Sequence, residues 1–142
     1  MTRTVLFLCN LNSVRSPMAA ALLRALAPAL RRDLRVDSAG LYDGGFFDPM
    51  VEKALDEIGV AFHDHAPKSM GAIDLSAFDL VVALTPEAAA EARRVRSAGV
   101  EFWPIDNPSD AQTGTPLDAY RAVRDDLRLK LAARFSPANE KP

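Results

Sequence analysis

The run Thr4-Val-Leu-Phe-Leu-Cys9-Asn-Leu-Asn-Ser-Val-Arg15-Ser16-Pro17 changes character twice. It opens as an unbroken apolar stretch from Thr4 to Leu8, the pattern of a strand covered on both faces. A short polar loop follows, and then a helix start. Ser16 suits an N-cap, and Pro17 suits the first helical position, where its missing N–H costs nothing. Ala19, Leu22, Leu23, Leu26 and Leu30 then recur at helical spacing, and Arg31, Arg32 and Arg35 cluster where that helix is expected to end.

The same alternation continues along the chain. A short strand is expected over 34–37, ended by Ser38-Ala-Gly40. A Gly-rich, aromatic loop over 41–47 leads to Asp48-Pro49, a second N-cap and first-turn proline, with Gly59 stopping the helix. Residues 78–84 read as a third buried strand, and Thr85-Pro86 opens an Ala-rich helix running to about Ser97. A fourth strand is expected over 100–103. After a proline-containing loop over 104–116, Leu117, Tyr120, Val123, Leu127, Leu131 and Phe135 form the stripe of a last helix. Strands alternating with helices predict an α/β fold: one three-layer domain over 1–135, with a four-stranded parallel sheet and helices on both faces. The tail 136–142 carries no core residues and is expected to fray.

Composition narrows the function. The chain has 142 residues, 49% hydrophobic and 25% charged, with a net charge of −2. That size suits one well-buried core, and that charge gives no footprint for nucleic acid or an anionic membrane. No stretch reaches the ~20 apolar residues of a membrane span, and no targeting segment is evident, so a cytoplasmic protein is expected. A single cysteine excludes an internal disulfide framework, a Cys-rich zinc site and a dithiol relay within the chain. Two histidines, His63 and His65, are too few for a metal site without heavy carboxylate help, and no metal or other cofactor is expected.

A parallel sheet binds ligands beyond the carboxyl ends of its strands, and the first strand delivers Cys9 there. Taken alone, a cysteine is most often a buried structural thiol. Its context points instead to nucleophilic chemistry. The N–H groups of Asn10, Leu11, Asn12, Ser13 and Val14 can curl around an anion, and the helix N-terminus adds about half a positive charge. Arg15 can grip two oxygens of a tetrahedral oxyanion with its planar fork, and Ser16 can donate to the thiolate. Asn12 suits a left-handed backbone position.

This constellation resembles the low-molecular-weight protein tyrosine phosphatase family, whose signature is Cys-x5-Arg-Ser-Pro after the first strand. Ser38-Ala-Gly40, Asp48-Pro49, Gly59-Val60 leading to His65, and Phe78-Asp-Leu-Val-Val-Ala-Leu84 follow in the family's order. The resemblance implies a flavodoxin-like phosphatase fold, with Asn12, Ser16, Ser38 and His65 buttressing the phosphate loop. It further implies attack by Cys9, a phosphocysteine intermediate, and phosphotyrosine on a protein, or another aryl phosphate, as substrate. Inorganic phosphate would be product or inhibitor. His63 and Lys68 gain little from the resemblance and read as surface residues.

Three departures stand out. Leu11 replaces the family's glycine, so a side chain there either lines the pocket or alters the loop's torsions. Thr85 replaces an aspartate after the third strand. Asn107 occupies the slot of the family's general acid, before Pro108, and Ser109 and Asp110 stand where aromatic residues often follow. Asp106, one residue earlier, is the expected proton donor and later base, with Asp110 as the alternative. Aromatic recognition would then rest on Leu11, Tyr42, Phe46 and Phe47. Two rival readings remain: an impaired oxyanion- or phosphoprotein-binding module, and an arsenate reductase, for which the single cysteine lacks a relay partner.

Overall fold

The computed structural model describes residues 2–62, 65–111 and 114–137. Four parallel strands, β1 (Thr4–Cys9), β2 (Arg35–Gly40), β3 (Leu80–Ala83) and β4 (Val100–Phe102), lie in the order β2-β1-β3-β4. Helices α1 (Arg15–Leu26), α2 (Pro49–Asp56), α3 (Pro86–Val95) and α4 (Pro116–Phe135) connect and cover them. Alternation along β1 explains the layers. Val5 and Phe7 face a core shared with α1, α2 and α4, while Leu6 and Leu8 face a smaller core under α3. Each fully buried Leu, Val or Phe contributes about 1.5–3 kcal/mol by leaving water.

The chain leaves β1 towards β2 on one side and later returns to β3 on the other, so the sheet order reverses at the carboxyl end of β1. Diverging connections open a crevice there. Cys9 ends β1 and stands at that point.

Local chemistry sets the helix starts. Asp48, Thr85 and Thr115 cap α2, α3 and α4 with side-chain oxygens, and each is followed by proline. Helix α1 departs from expectation at both ends. It begins at Arg15 with Val14 in the cap position, so Ser16 is not an N-cap but lies inside the first turn. It stops at Leu26 because Pro28 has no N–H to continue the ladder. Arg31 follows in a left-handed turn with φ 55°, and Arg31, Arg32 and Arg35 fall outside the helix; the cation in its last turn is Arg24. β2 runs on to Gly40 and so includes Ser38. Short 3-10 turns at Met70–Ala72, Leu75–Ala77 and Pro108–Asp110 were not expected from the sequence. His63 and most of the 136–142 tail lie outside the described residues. No helix among the described residues is long and apolar enough to cross a membrane.

Candidate active site

Between β1 and α1 the backbone turns through residues 10–14, and Asn12 holds the tightest point of that turn at φ 59°, a conformation asparagine tolerates better than other side-chain-bearing residues. Its own side chain is fully buried and fully used. Nδ2 donates to Ser16 Oγ and to Ser38 Oγ, both at 2.9 Å, and Oδ1 accepts the Lys68 backbone N–H at 3.0 Å. The Asn12 carbonyl accepts from His65 Nε2 at 2.8 Å, which fixes the neutral imidazole as the Nε2–H tautomer. Burial holds the His65 pKa below its ordinary 6.5, with help from the nearby Lys68 and Arg24 charges; the bond to Asn12 and the Asp37 carboxylate oppose this.

Cys9, 3% exposed, lies with Sγ 2.9 Å from Ser16 Oγ. Because Asn12 already donates to that hydroxyl oxygen, the Ser16 hydrogen is left to choose between Cys9 Sγ and the Ala39 carbonyl at 3.3 Å. A thiolate is the stronger acceptor, so this hydroxyl is placed to stabilise charge on sulfur. Arg15 opens α1 and donates from Nη1 to the Ile105 carbonyl at 3.1 Å, linking the start of α1 to the 104–107 segment.

A cavity of about 260 Å³ opens over this loop, lined among others by Cys9, Arg15, Leu11, Phe46, Asn107 and Ser109. Leu11 faces it at an ordinary negative φ, so its side chain forms wall without straining the loop. The 41–47 loop is pinned against the cradle. Leu41 and Tyr42 donate to the carbonyls of Cys9 and Asn10, and Phe46 N–H donates to Ser13 Oγ at 2.8 Å. Gly45 is required here, since a β-carbon would lie 2.0 Å from the Leu11 carbonyl oxygen. Thr85 does supply a supporting contact in place of the expected aspartate: it donates to Asn10 Oδ1 at 2.8 Å while accepting Ala88 N–H at the start of α3.

The structure groups Cys9, Asn12, Arg15, Ser16, Ser38 and His65 around the 10–14 loop. Asp106 and Asp110 are both exposed and do not line the cavity. Asn107 does line it, its Oδ1 accepting from Ser109 N–H and Oγ. Three contributors escaped the sequence. The Lys68 backbone donor is a group every non-proline residue has, and Asp48 and Tyr120 meet in the cavity wall from distant helices. Among the described residues no group of three or more His, Cys, Asp or Glu stands together as a metal site.

Comparison with known proteins agrees with this geometry. Residues 4–133 match the model of the low molecular weight phosphotyrosine protein phosphatase family. The chain belongs to that family. Within the low molecular weight phosphatases and their relatives, it is 28% identical over 130 residues to an arsenate reductase of Staphylococcus aureus, covering 91% of this chain and 93% of the relative. The YwlE arginine phosphatase, a Bacillus subtilis protein, superposes with a TM-score of 0.78 at 25% identity, covering 93% of each chain. The low molecular weight protein tyrosine phosphatase from T. tengcongensis superposes at 0.75 with 26% identity, covering 92% of this chain and 95% of the other. The family is one of cysteine-based phosphatases, and these relatives differ in substrate.

Proposed function

We propose that this chain hydrolyses phosphomonoesters, with phosphotyrosine in protein, or another aryl phosphate, as substrate and Cys9 as nucleophile. The observation that carries the reading is the Cys9–Ser16 contact inside a loop fastened through Asn12. Cys9 Sγ attacks phosphorus while the loop N–H groups and Arg15 hold the equatorial oxygens. The leaving oxygen departs opposite sulfur, and water then cleaves the phosphocysteine. Asp106 is proposed as donor of the leaving-group proton. For this the 104–107 segment must turn inward as Arg15 exchanges the Ile105 carbonyl for the substrate's oxygens.

Support for an aryl group comes from the mouth. Leu11 and Phe46 line the cavity yet are 38% and 55% exposed, and Tyr42 and Phe47 are exposed on the same pinned loop. Those apolar surfaces suit a ring entering phosphate-first. The arsenate reductase reading would need outside thiols, because Cys9 is the chain's one cysteine. The test is hydrolysis of p-nitrophenyl phosphate, a phosphotyrosine peptide and a phosphoarginine peptide, alongside thiol-driven arsenate reduction, by wild type and Cys9→Ser. Cys9-dependent turnover preferring the aryl substrates is expected. Phosphate bound without turnover would establish the binding-module reading in its place.

A further inference from the structure

The wall of the cavity over the 10–14 loop includes an aspartate, the residue that caps α2. Asp48 lines the same 260 Å³ space as Cys9 and Arg15, and it is only 6% exposed. Among the described residues lining that cavity it is the one carboxylate. Its orientation is fixed from two sides. Oδ1 accepts the Met50 backbone N–H at 2.9 Å, and Oδ2 accepts the Tyr120 hydroxyl at 2.7 Å. An ionised carboxylate offers about four acceptor sites, so these two bonds hold the group and leave it able to accept more. Tyr120 itself lines the cavity from α4 and is 5% exposed. Burial first, then the bond to Asp48 and its negative charge, keep this phenol protonated well above the usual tyrosine range. Tyr120 is therefore a fixed donor to Asp48.

We propose that Asp48 is the general base that activates water against the phosphocysteine, with Tyr120 as its positioning residue. The inference rests on the phosphatase reading above and assigns its second step. The cavity has room for a phosphoryl group and a water, whose share of liquid volume is about 30 Å³. In this step water's oxygen bonds to phosphorus, the S–P bond breaks, the water proton passes to the Asp48 carboxylate, and Cys9 leaves as a thiolate beside Ser16. The assignment separates the two half-reactions: Asp106 is the proposed proton donor of the first, and Asp48, in place of Asp106, is the base of the second, after the leaving group has gone.

Rapid-mixing hydrolysis of p-nitrophenyl phosphate, with acid-quench trapping of phosphoenzyme, tests this on wild type, Asp48→Asn and Tyr120→Phe. Asparagine is as good an N-cap as aspartate, so Asp48→Asn keeps α2 started. The expected result is a burst of one nitrophenolate per Asp48→Asn molecule, then steady turnover ~10²–10⁴-fold below wild type, with phosphocysteine accumulating. Tyr120→Phe gives the same pattern with a smaller drop, and a purely structural defect would instead diminish burst and turnover together. Wild-type steady turnover by Asp48→Asn, or loss of its burst along with its turnover, overturns the assignment while leaving the phosphatase reading intact. A wild-type chain that releases no nitrophenolate overturns both.

Discussion

His65 Nε2 and the Asn12 carbonyl oxygen lie 2.8 Å apart, so a ring from one end of the site clamps the left-handed residue at its centre. Phe62 stacks on that ring and Phe47 stacks on Phe62, which continues the contact to the aromatic mouth. Burial of the imidazole favours its neutral form, against the opposing pull of the Asn12 bond.

The first prediction follows from that neutrality. Burial lowers the folded-state pKa of His65 below 6.5, so the unfolded chain binds the proton more readily than the fold does. The His65 contribution to stability is complete above about pH 6.5 and is lost as pH falls through the lowered value. Urea midpoints of wild type should therefore drop more between about pH 7 and pH 5 than those of His65→Gln, which keeps an N–H donor but cannot titrate. Parallel drops in the two proteins would remove His65 from the account.

Asn12 should separate backbone strain from lost hydrogen bonds. Asn12→Gly keeps φ 59° accessible but orphans partners on Ser16, Ser38 and Lys68; Asn12→Ala adds the left-handed penalty. Each unsatisfied buried group costs about 1–3 kcal/mol and the penalty for a β-carbon about 1–2 kcal/mol. Both variants should unfold at lower urea, with alanine below glycine. Equal midpoints would show that the turn is not strained.

Ser16→Ala removes the hydroxyl beside Cys9 Sγ without opening the helix, since Ser16 is not the cap. A hydrogen bond to a charged group is worth about 1.5–3 kcal/mol, so kcat/KM should fall by roughly 10- to 100-fold. Thermal unfolding should move far less than in the Asn12 variants. Unchanged kinetics would mean that the hydroxyl hydrogen stays on Ala39.

Gly45→Ala forces a β-carbon into the Leu11 carbonyl and parts the 41–47 loop from the cradle. The Phe46–Ser13 bond should break, and KM for aryl phosphates should rise more than kcat falls. At the neighbouring Gly44 an added β-carbon would meet nothing within 4 Å, but φ is +98°, so Gly44→Ala should cost stability with little effect on KM. Equal KM values in the two variants would dissociate the loop from substrate binding.

Thr85→Val tests the contact that stands in for an absent aspartate. It loses both the bond to Asn10 Oδ1 and the α3 cap, at a cost of about 1 kcal/mol for the cap alone. Thr85→Ser should restore both. Competitive inhibition by inorganic phosphate should weaken in valine and recover in serine; phosphate affinity identical in all three would confine Thr85 to helix capping.

Much of this is legible in local signals. The apolar run of β1, the Asp48-Pro49 and Thr85-Pro86 starts, and the Cys9 to Arg15 spacing act over a few residues, and the fold keeps them. Ser16 reads as a cap because a serine before proline satisfies the capping rule, while in the fold the loop backbone enters the helix two residues earlier and turns the hydroxyl inward. Pro28 carries the signal for the early end of α1, and the leucine stripe masks it. The Lys68 backbone N–H on Asn12 leaves no trace in side-chain chemistry. The Asp48–Tyr120 pair joins residues 72 apart, a proximity created by α4 packing beside α2. Capping α2 accounts for Asp48 by itself, and nothing local signals a task for its second oxygen.

The partners of Asn12 come from α1, β2 and the segment holding His65 and Lys68, so no short fragment of this chain contains the whole cradle. On the proposed reading, competence needs all of these elements assembled: a partly unfolded chain carries the thiol but not the cradle proposed to hold a phosphoryl group against it. The reverse dependence follows by mass action. An oxyanion at a hundred times its dissociation constant stabilises the whole fold by about 2.7 kcal/mol, so ligand occupancy and chain integrity report on each other.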